Sequence, residues 1–461
     1  MITEQTEFTL KSETKNIIIT NNIKNSFVKK IDKALGGKLK SISEEPFTII
    51  HTLGKLQCEK VFVVNFEALN DEKLQEKIIK GITGVKGDTV ILVDTFINET
   101  YHKFIGYLAE RILTDNYQFN KFKSKYKEEP KEFFFYGNRK IYDVVKKGYI
   151  LGECMNNAKT LVNTPYNYLN ATDLANYAKE FTKYDNVEVT IYDKKQIEDM
   201  NMGAFLGVNL GSSDEPKLIL VKYQGLETFD NPTALVGKGV MYDTGGYSLK
   251  TPQSMPGMKV DMAGSAAVLG AIEAIARLQP KANVMAIVAA TDNRIGDGAI
   301  VPDDILVSAN GKTIEIISTD AEGRLTLADA VWFAQEQGAK RVIDTATLTG
   351  AMVAALGREF TGAFTNNKEF LNEFKKAAKT AKEDIWEMPV SKGYHKLIES
   401  KVADIKNSGG RFAGASTAAA FIEEFINKDT AWIHLDIAGT ASTEKGEATG
   451  VMVKSFTEFF L

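Results

Sequence analysis

The pattern that most constrains this chain is a succession of short apolar runs separated by stretches of helical character. Residues 218–223, 234–236 and 284–290 are built from Val, Ile, Leu, Ala and Met apart from Lys222 and Tyr223, with little polar alternation, and 187–192 and 341–344 lie outside them. Runs of this length are too short for ordinary helices and read as strands buried on both faces. A short helix near 194–200 and a long small-residue helix over 263–278 fall between them, and another apolar periodic run covers 325–337. Strands alternating with helices predict a sheet covered on both faces. In such sheets the polar residues just past the strand ends build the site.

The first 150 residues repeat the alternation on a smaller scale, with strands predicted at 17–20, 61–66, 90–96 and 133–136 and helices at 67–81 and 99–114. A helical stretch over 144–161 then runs into Asn163-Thr164-Pro165, where proline stops it. At 461 residues the chain exceeds one ordinary core. The expected class is α/β in two domains. Residues 1–145 form a smaller N-terminal α/β domain, and 146–461 a larger C-terminal domain with a central mixed sheet flanked by helices, entered through a linking helix at 146–165.

Charge and cysteine usage exclude several classes. Residues 1–150 carry 25 basic and 20 acidic side chains, whereas the remainder carries 31 and 40. An acidic larger domain suits cations and disfavours nucleic acid. The lysine-rich segment 121–131 is interleaved with Phe122, Tyr126 and acidic residues, and reads as a solvated face rather than a nucleic-acid contact. Cys58 and Cys154 are the only cysteines and stand in no metal-ligand spacing, so a reducing compartment is expected. The first five residues lack a signal-peptide pattern, and no apolar run reaches the ~18–20 residues of a membrane span. A cytoplasmic location with no membrane partner follows as the expectation.

Common catalytic patterns are missing. There is no P-loop, no G-x-G-x-x-G opening a helix, no G-x-S-x-G and no H-E-x-x-H; histidine is limited to His51, His102, His395 and His434. A metal site in such a chain is built mainly from oxygen ligands. Candidate oxygens cluster at strand-to-helix junctions. The stretch Gly237-Lys238-Gly239-Val240-Met241-Tyr242-Asp243-Thr244-Gly245-Gly246 follows a buried strand, its glycines suited to positive φ and close approach. Lys250 and Met258-Lys259-Val260-Asp261-Met262 come next, then Ser318-Thr319-Asp320-Ala321-Glu322-Gly323-Arg324-Leu325. In extended chain Asp320, Glu322 and Arg324 would share one face. Plain structural readings exist for each: Thr319-x-x-Glu322 as a capping box, Asp261 as an N-cap, Asp243 as a turn residue, and the lysines as surface residues. They do not explain why four acids and three bases gather at such junctions.

The motifs that carry these residues resemble the leucyl aminopeptidase (cytosol aminopeptidase) family of dinuclear metallopeptidases. The resemblance runs from about residue 161 to 450 and is slight before 150. It also covers Leu161-Val162-Asn163-Thr164-Pro165, Asp344-Thr345-Ala346-Thr347-Leu348-Thr349-Gly350, Val402-Ala403-Asp404, Gly409-Gly410-Arg411-Phe412-Ala413-Gly414-Ala415 and Trp432-Ile433-His434-Leu435-Asp436. It implies an aminopeptidase with two divalent metal ions per subunit, zinc or manganese first and magnesium or cobalt as alternatives. Asp243 and Glu322 would bridge the ions, Asp320 would complete one site, and Lys238 and Asp261 the other. A metal-bridging water would be the nucleophile. Lys250 would polarise the scissile carbonyl, and Arg324, with backbone near Ala321, Gly323 and Leu348, would hold a bicarbonate ion acting as base. Met258, Thr347, Gly350 and Ala448 match positions lining the first side-chain pocket, implying an apolar residue such as Leu or Met at the substrate's N-terminus. Peptides with a free N-terminus would be the substrates, and a homohexamer the assembly.

Ser318 stands where the family usually has Asn, and Thr244 where Ser is common, which bears on substrate preference. Two other classes fit parts of the chain. One is a non-catalytic scaffold or DNA-binding relative acting through the N-terminal domain, and the other a carboxylate-bridged phosphatase.

Overall fold

The apolar runs become strands, and most extend further than their apolar residues do, because backbone pairing continues where the side chains turn polar. The computed structural model describes residues 15–41, 45–96, 99–126, 131–137 and 139–461. The chain divides into two compact units, one ending at Asn156 and the other spanning Asn157–Leu461, with the division inside the helix Arg139–Asn163.

In the first unit β1 (Asn16–Thr20), β2 (Phe47–His51), β3 (Lys60–Val64), β4 (Thr89–Leu92) and β5 (Phe133–Tyr136) form a sheet in the order β2-β3-β1-β4-β5. All neighbours are parallel except the β2–β3 pair. Alternate side chains explain the layers. Ile18, Phe62 and Ile91 pack with Ile78, Ile79 and Phe104 of the helices Glu72–Thr83 and Glu99–Asp115, while Ile17, Ile19 and Val61 pack with Val28 and Ile31 of the helix Ser26–Ala34. Sequence reading omitted β2, an edge strand whose Ile49 is half exposed. Residues 121–126 form exposed turns, and 127–130 of the same lysine-rich segment lie outside the described residues, as do residues 1–5.

The second unit is organised by an eight-stranded mixed sheet. Its strands are β6 (Val187–Tyr192), β7 (Lys217–Gln224), β8 (Thr233–Asp243), β9 (Asn283–Asn293), β12 (Arg341–Ala346), β13 (Thr361–Thr365), β14 (Ile385–Glu387) and β16 (Ala431–Asp436), in the order β14-β13-β16-β12-β8-β9-β7-β6. A small separate sheet holds β10 (Ile305–Val307), β11 (Thr313–Glu315) and β15 (Ile405–Lys406). Within the large sheet β16, β12, β8 and β9 are mutually parallel. Their C-terminal ends, at Asp436, Ala346, Asp243 and Asn293, therefore lie side by side.

Helices cover both faces of this parallel centre. Ala234 and Val236 face Leu325, Leu327 and Ala328 of the helix Gly323–Glu336. On the other face Gly237 meets Gly264 of the helix Ala263–Leu278 so closely that an added Cβ would lie 2.6 Å from the Gly264 carbonyl oxygen. The Gly237-Lys238-Gly239 stretch is thus strand, not the loop of positive φ its composition suggested. Its glycines serve close packing; the positive φ values fall later, at Gly245 and Gly246. Asp344 and His434, singled out by motif, cross-link adjacent strands: His434 Nδ1 lies 2.6 Å from Asp344 Oδ1, and Trp432 Nε1 donates to Asp344 Oδ2 at 2.7 Å.

A buried carboxylate ties the helix Gly323–Glu336 to its surroundings. Asp329 is fully buried and accepts from the backbone N–H groups of Phe205 and Ala309, each at 2.8 Å. Asp329→Ala leaves two backbone donors, one of them fully buried, unpartnered and is expected to cost about 2–4 kcal/mol, read as a lowered Tm. Burial pushes the Asp329 carboxyl up to about 7, against those N–H groups, while an unfolded Asp titrates near ~3.9. The folded state then binds the proton more tightly, so this contribution to stability is full below about pH 4 and declines as pH rises toward about 7. Asp329→Asn should remove that decline; an unchanged pH profile of Tm contradicts the assignment.

Candidate active site

The polar residues at the parallel strand ends converge on one cluster. Lys238, inside β8, is 3% exposed and extends on the face covered by the helix Gly323–Glu336. Its Nζ lies 2.7 Å from Asp261 Oδ1 and 2.9 Å from Glu322 Oε1, and donates to the Thr347 carbonyl at 3.1 Å. Gly323 makes this possible, since a Cβ there would sit 2.3 Å from Lys238 Cε. Lys250 Nζ forms the second cationic centre, 2.7 Å from Asp243 Oδ2 and 2.5 Å from Asp320 Oδ1. Asp243, Asp320 and Glu322 each bring one carboxylate oxygen within 4.8 Å of the others.

Local structure settles the plain readings of these residues. Asp261 lies in the single turn Met258–Met262, and Met262, not Asp261, precedes the helix Ala263–Leu278. Asp261 Oδ1 accepts from Lys238 Nζ and from the Thr347 hydroxyl, at 2.9 Å, so it caps nothing. Its Oδ2 is buried with no hydrogen-bond partner among the described residues. The capping box fails too: Glu322 points at Lys238. Thr319 instead donates its hydroxyl to the Gly245 carbonyl at 2.6 Å and accepts there from Ser248 N–H at 2.7 Å. The 318–322 stretch is a turn rather than extended chain, and it brings Asp320 and Glu322 together by folding back instead of by strand alternation.

Arg324 stands apart from the carboxylates. It is 8% exposed, and its Nη1 donates to the Asn407 carbonyl at 2.8 Å. It forms no ion pair among the described residues. Burial lowers its pKa to about 10, partly offset by Glu322 and Asp436. Of its expected neighbours, Ala321 N–H and Leu348 N–H have weak internal partners, the Ser318 carbonyl and Asp436 Oδ1, both at 3.3 Å. Among the pocket candidates, Thr347 touches Asp261, Met258 is half-buried in the turn carrying Asp261, and Gly350 is exposed at the start of the helix Gly350–Leu356. Ala448 is buried in a separate bridge with Ser442.

Electrostatics follow from the packing. Burial alone would push the Lys238 ammonium down, but Asp261, Glu322 and Asp243 together hold it well above the usual lysine range. Burial raises Asp243 to about 6, with Glu322 adding and Lys250 and Lys238 opposing. Burial also pushes Asp261 and Asp320 up. Glu322 alone goes down, because Lys238 and Lys250 outweigh its burial.

Three residues given no site role in the sequence reading complete the frame, two of them, Asn293 and Asn407, outside every motif quoted there. Asn407, fully buried, donates to the Ser318 carbonyl and accepts from Ile317 N–H. Asp436 accepts from the Thr349 hydroxyl at 2.7 Å. Asn293 donates to Asp243. Asn293 and Asp436 end buried parallel strands, the position where site residues were expected; Asn293 lies in no quoted motif, and Asp436, though it closes the 432–436 motif, was given no role.

Carboxylates and lysines gathered at the carboxyl ends of parallel strands define a hydrolase site of metal-binding character. A family model of the cytosol aminopeptidase catalytic domain matches residues 156–457. The chain is 42% identical over 414 residues to a probable cytosol aminopeptidase of Bacillus subtilis, covering 87% of this chain and 80% of that one. It also superposes on a tomato leucine aminopeptidase mutant with a TM-score of 0.85 at 29% identity, covering 100% of this chain and 96% of the other. This chain belongs to the cytosol aminopeptidase family and is a hydrolase, a leucyl-type metallo-aminopeptidase.

Lys238 can be tested as the counterion of the buried acids. Lys238→Met leaves Asp261 and Glu322 buried without their cation, and in metal-free protein it should cost about 3–5 kcal/mol. A metal-free Tm equal to that of the wild type contradicts this.

Proposed function

We propose that the enzyme removes apolar N-terminal residues, such as Leu or Met, from peptides with the help of two divalent cations. The observation that carries this is Asp261 Oδ2, a buried carboxylate oxygen without a hydrogen-bond partner among the described residues, beside three further carboxylates. Such an atom costs free energy unless a ligand uses it. Asp243 and Glu322 would lie between the ions, Asp320 would complete one site, and Lys238 and Asp261 the other. Oxygen ligands with one amine nitrogen suit zinc or manganese, and tolerate magnesium or cobalt. When bound, the ions supply positive charge and lower the pKa of water from ~15.7 toward ~7.

The chain's own residues do the rest. Lys250, paired with Asp243 and Asp320, would donate to a peptide carbonyl and polarise it. Arg324, a buried guanidinium with no ion-pair partner among the described residues, would hold a small anion, and bicarbonate held there with Ala321, Gly323 and Leu348 would serve as base. The acidic floor favours a substrate's free α-amine, which orients the first peptide bond. Met258, Thr347, Gly350 and Ala448 would line the first side-chain pocket. The family resemblance supports a cytoplasmic homohexamer. No helix among the described residues is long and apolar enough to cross a membrane.

Lys238→Arg preserves charge but offers no nitrogen that gives up its proton, so bound metal should fall from two ions to one per chain by elemental analysis. Two ions retained would overturn the ligand set. N-acetylation of a substrate peptide should abolish cleavage; cleavage of the acetylated peptide would overturn the exopeptidase mode.

A further inference from the structure

Asn293 ends β9 beside the end of β8, and the register between the two strands is irregular there. Val240 pairs with Thr291 and Asp243 with Asn293, so β8 takes three steps where β9 takes two. This bulge sets the Asp243 side chain against the Asn293 carboxamide. Asn293 is 2% exposed, and its Nδ2 makes two hydrogen bonds, to Asp243 Oδ1 and to the Thr319 carbonyl, both at 2.9 Å. The first acceptor belongs to the β8 end. The second belongs to the turn that carries Asp320. Its backbone carbonyl accepts from Thr244 N–H at 3.0 Å and from the Thr244 hydroxyl at 2.8 Å, pinning the residue after Asp243 as well.

We propose that Asn293 is a positioning residue of the metal centre: its carboxamide fixes Asp243 and the Thr319–Asp320 turn at one separation. The proposal rests on the reading of Asp243 and Asp320 as metal ligands. Asp243 Oδ1 is held by Asn293 Nδ2 and by Gly245 N–H at 2.9 Å, which stops rotation of the carboxylate. Oδ2 is left on the cationic side of the site, where Lys250 Nζ lies at 2.7 Å. A neutral double donor is the group this task needs. It satisfies two acceptors from two different segments and adds no charge to a cluster already rich in carboxylates. A residue without donors would leave Asp243 and the Thr319 carbonyl short of a partner and free to drift apart. Outer partners of this kind change metal affinity by about 10–100-fold when removed.

The test compares metal-stripped wild type, Asn293→Ala and Asn293→Leu, the second retaining bulk without donors. Each is melted by calorimetry and then titrated with Mn²⁺ alone by isothermal calorimetry. The expected result is metal-free variants that still fold, with Tm lowered by the two buried acceptors left unpartnered, and Mn²⁺ bound about 10–100-fold more weakly at one site or both. Wild-type affinity and stoichiometry in a folded variant overturns the proposal. Failure of both variants to fold without metal also overturns it, because Asn293 then serves the fold. Wild-type protein that binds no Mn²⁺ fails the ligand assignment itself, and this proposal falls with it.

Discussion

The structure depends on a single buried contact set: the Lys238 ammonium between Asp261 and Glu322, at 2.7 and 2.9 Å. These carboxylates come from different segments, a short turn after β8 and the turn before the helix Gly323–Glu336. Taking three charges out of water is expensive, and only their mutual attraction at close range offsets it. The packing around them explains how. Gly323 lets a helix start directly over the lysine stem, and Gly237 against Gly264 draws the opposite helix flush with the same strand. The sheet centre is therefore closely packed on both sides, and the charged groups have little room to relax.

That contact set also leaves an imbalance. Four carboxylates meet two lysines, and one oxygen of Asp261 is buried without a hydrogen-bond partner among the described residues. Lys238 is held charged by its neighbours, so its nitrogen becomes a ligand only when a cation replaces what its proton supplied. The same side chain thus steadies the metal-free protein and, in the proposed function, completes a metal site. Arg324 adds a buried cation of a different kind, set beside the Asn407 carbonyl; in the proposed function it holds a small anion.

Much of this was legible in the sequence, for reasons that differ by element. The helix Ala263–Leu278 is recovered to the residue, because small apolar side chains, interrupted only by Ser265, Glu273 and Arg277, run between a charged turn and a polar stop. The buried parallel strands are legible as apolar runs, though their ends are not: β8 reaches Asp243 through glycines and a tyrosine that composition assigns to a loop. Edge strands such as β2 and β14 are half-exposed and short, and carry no clear period. Site acids and bases stand out as charges at strand-to-helix junctions. The carboxamides of Asn293 and Asn407 do not, since a neutral amide is ordinary in any loop, and only the folded register shows what each one bridges. Thr319 was read as a possible cap for the right physical reason, a hydroxyl ahead of a helix, but its hydroxyl found the Gly245 carbonyl.

Anomalous diffraction from crystals soaked in Mn²⁺ addresses the central claim most directly. Two peaks are expected in each subunit, one among Asp243, Asp320 and Glu322, the other against Lys238 Nζ with Asp261 Oδ2 among its ligands. Crystals that show no peak at these residues, or that leave Asp261 Oδ2 without a cation, contradict it.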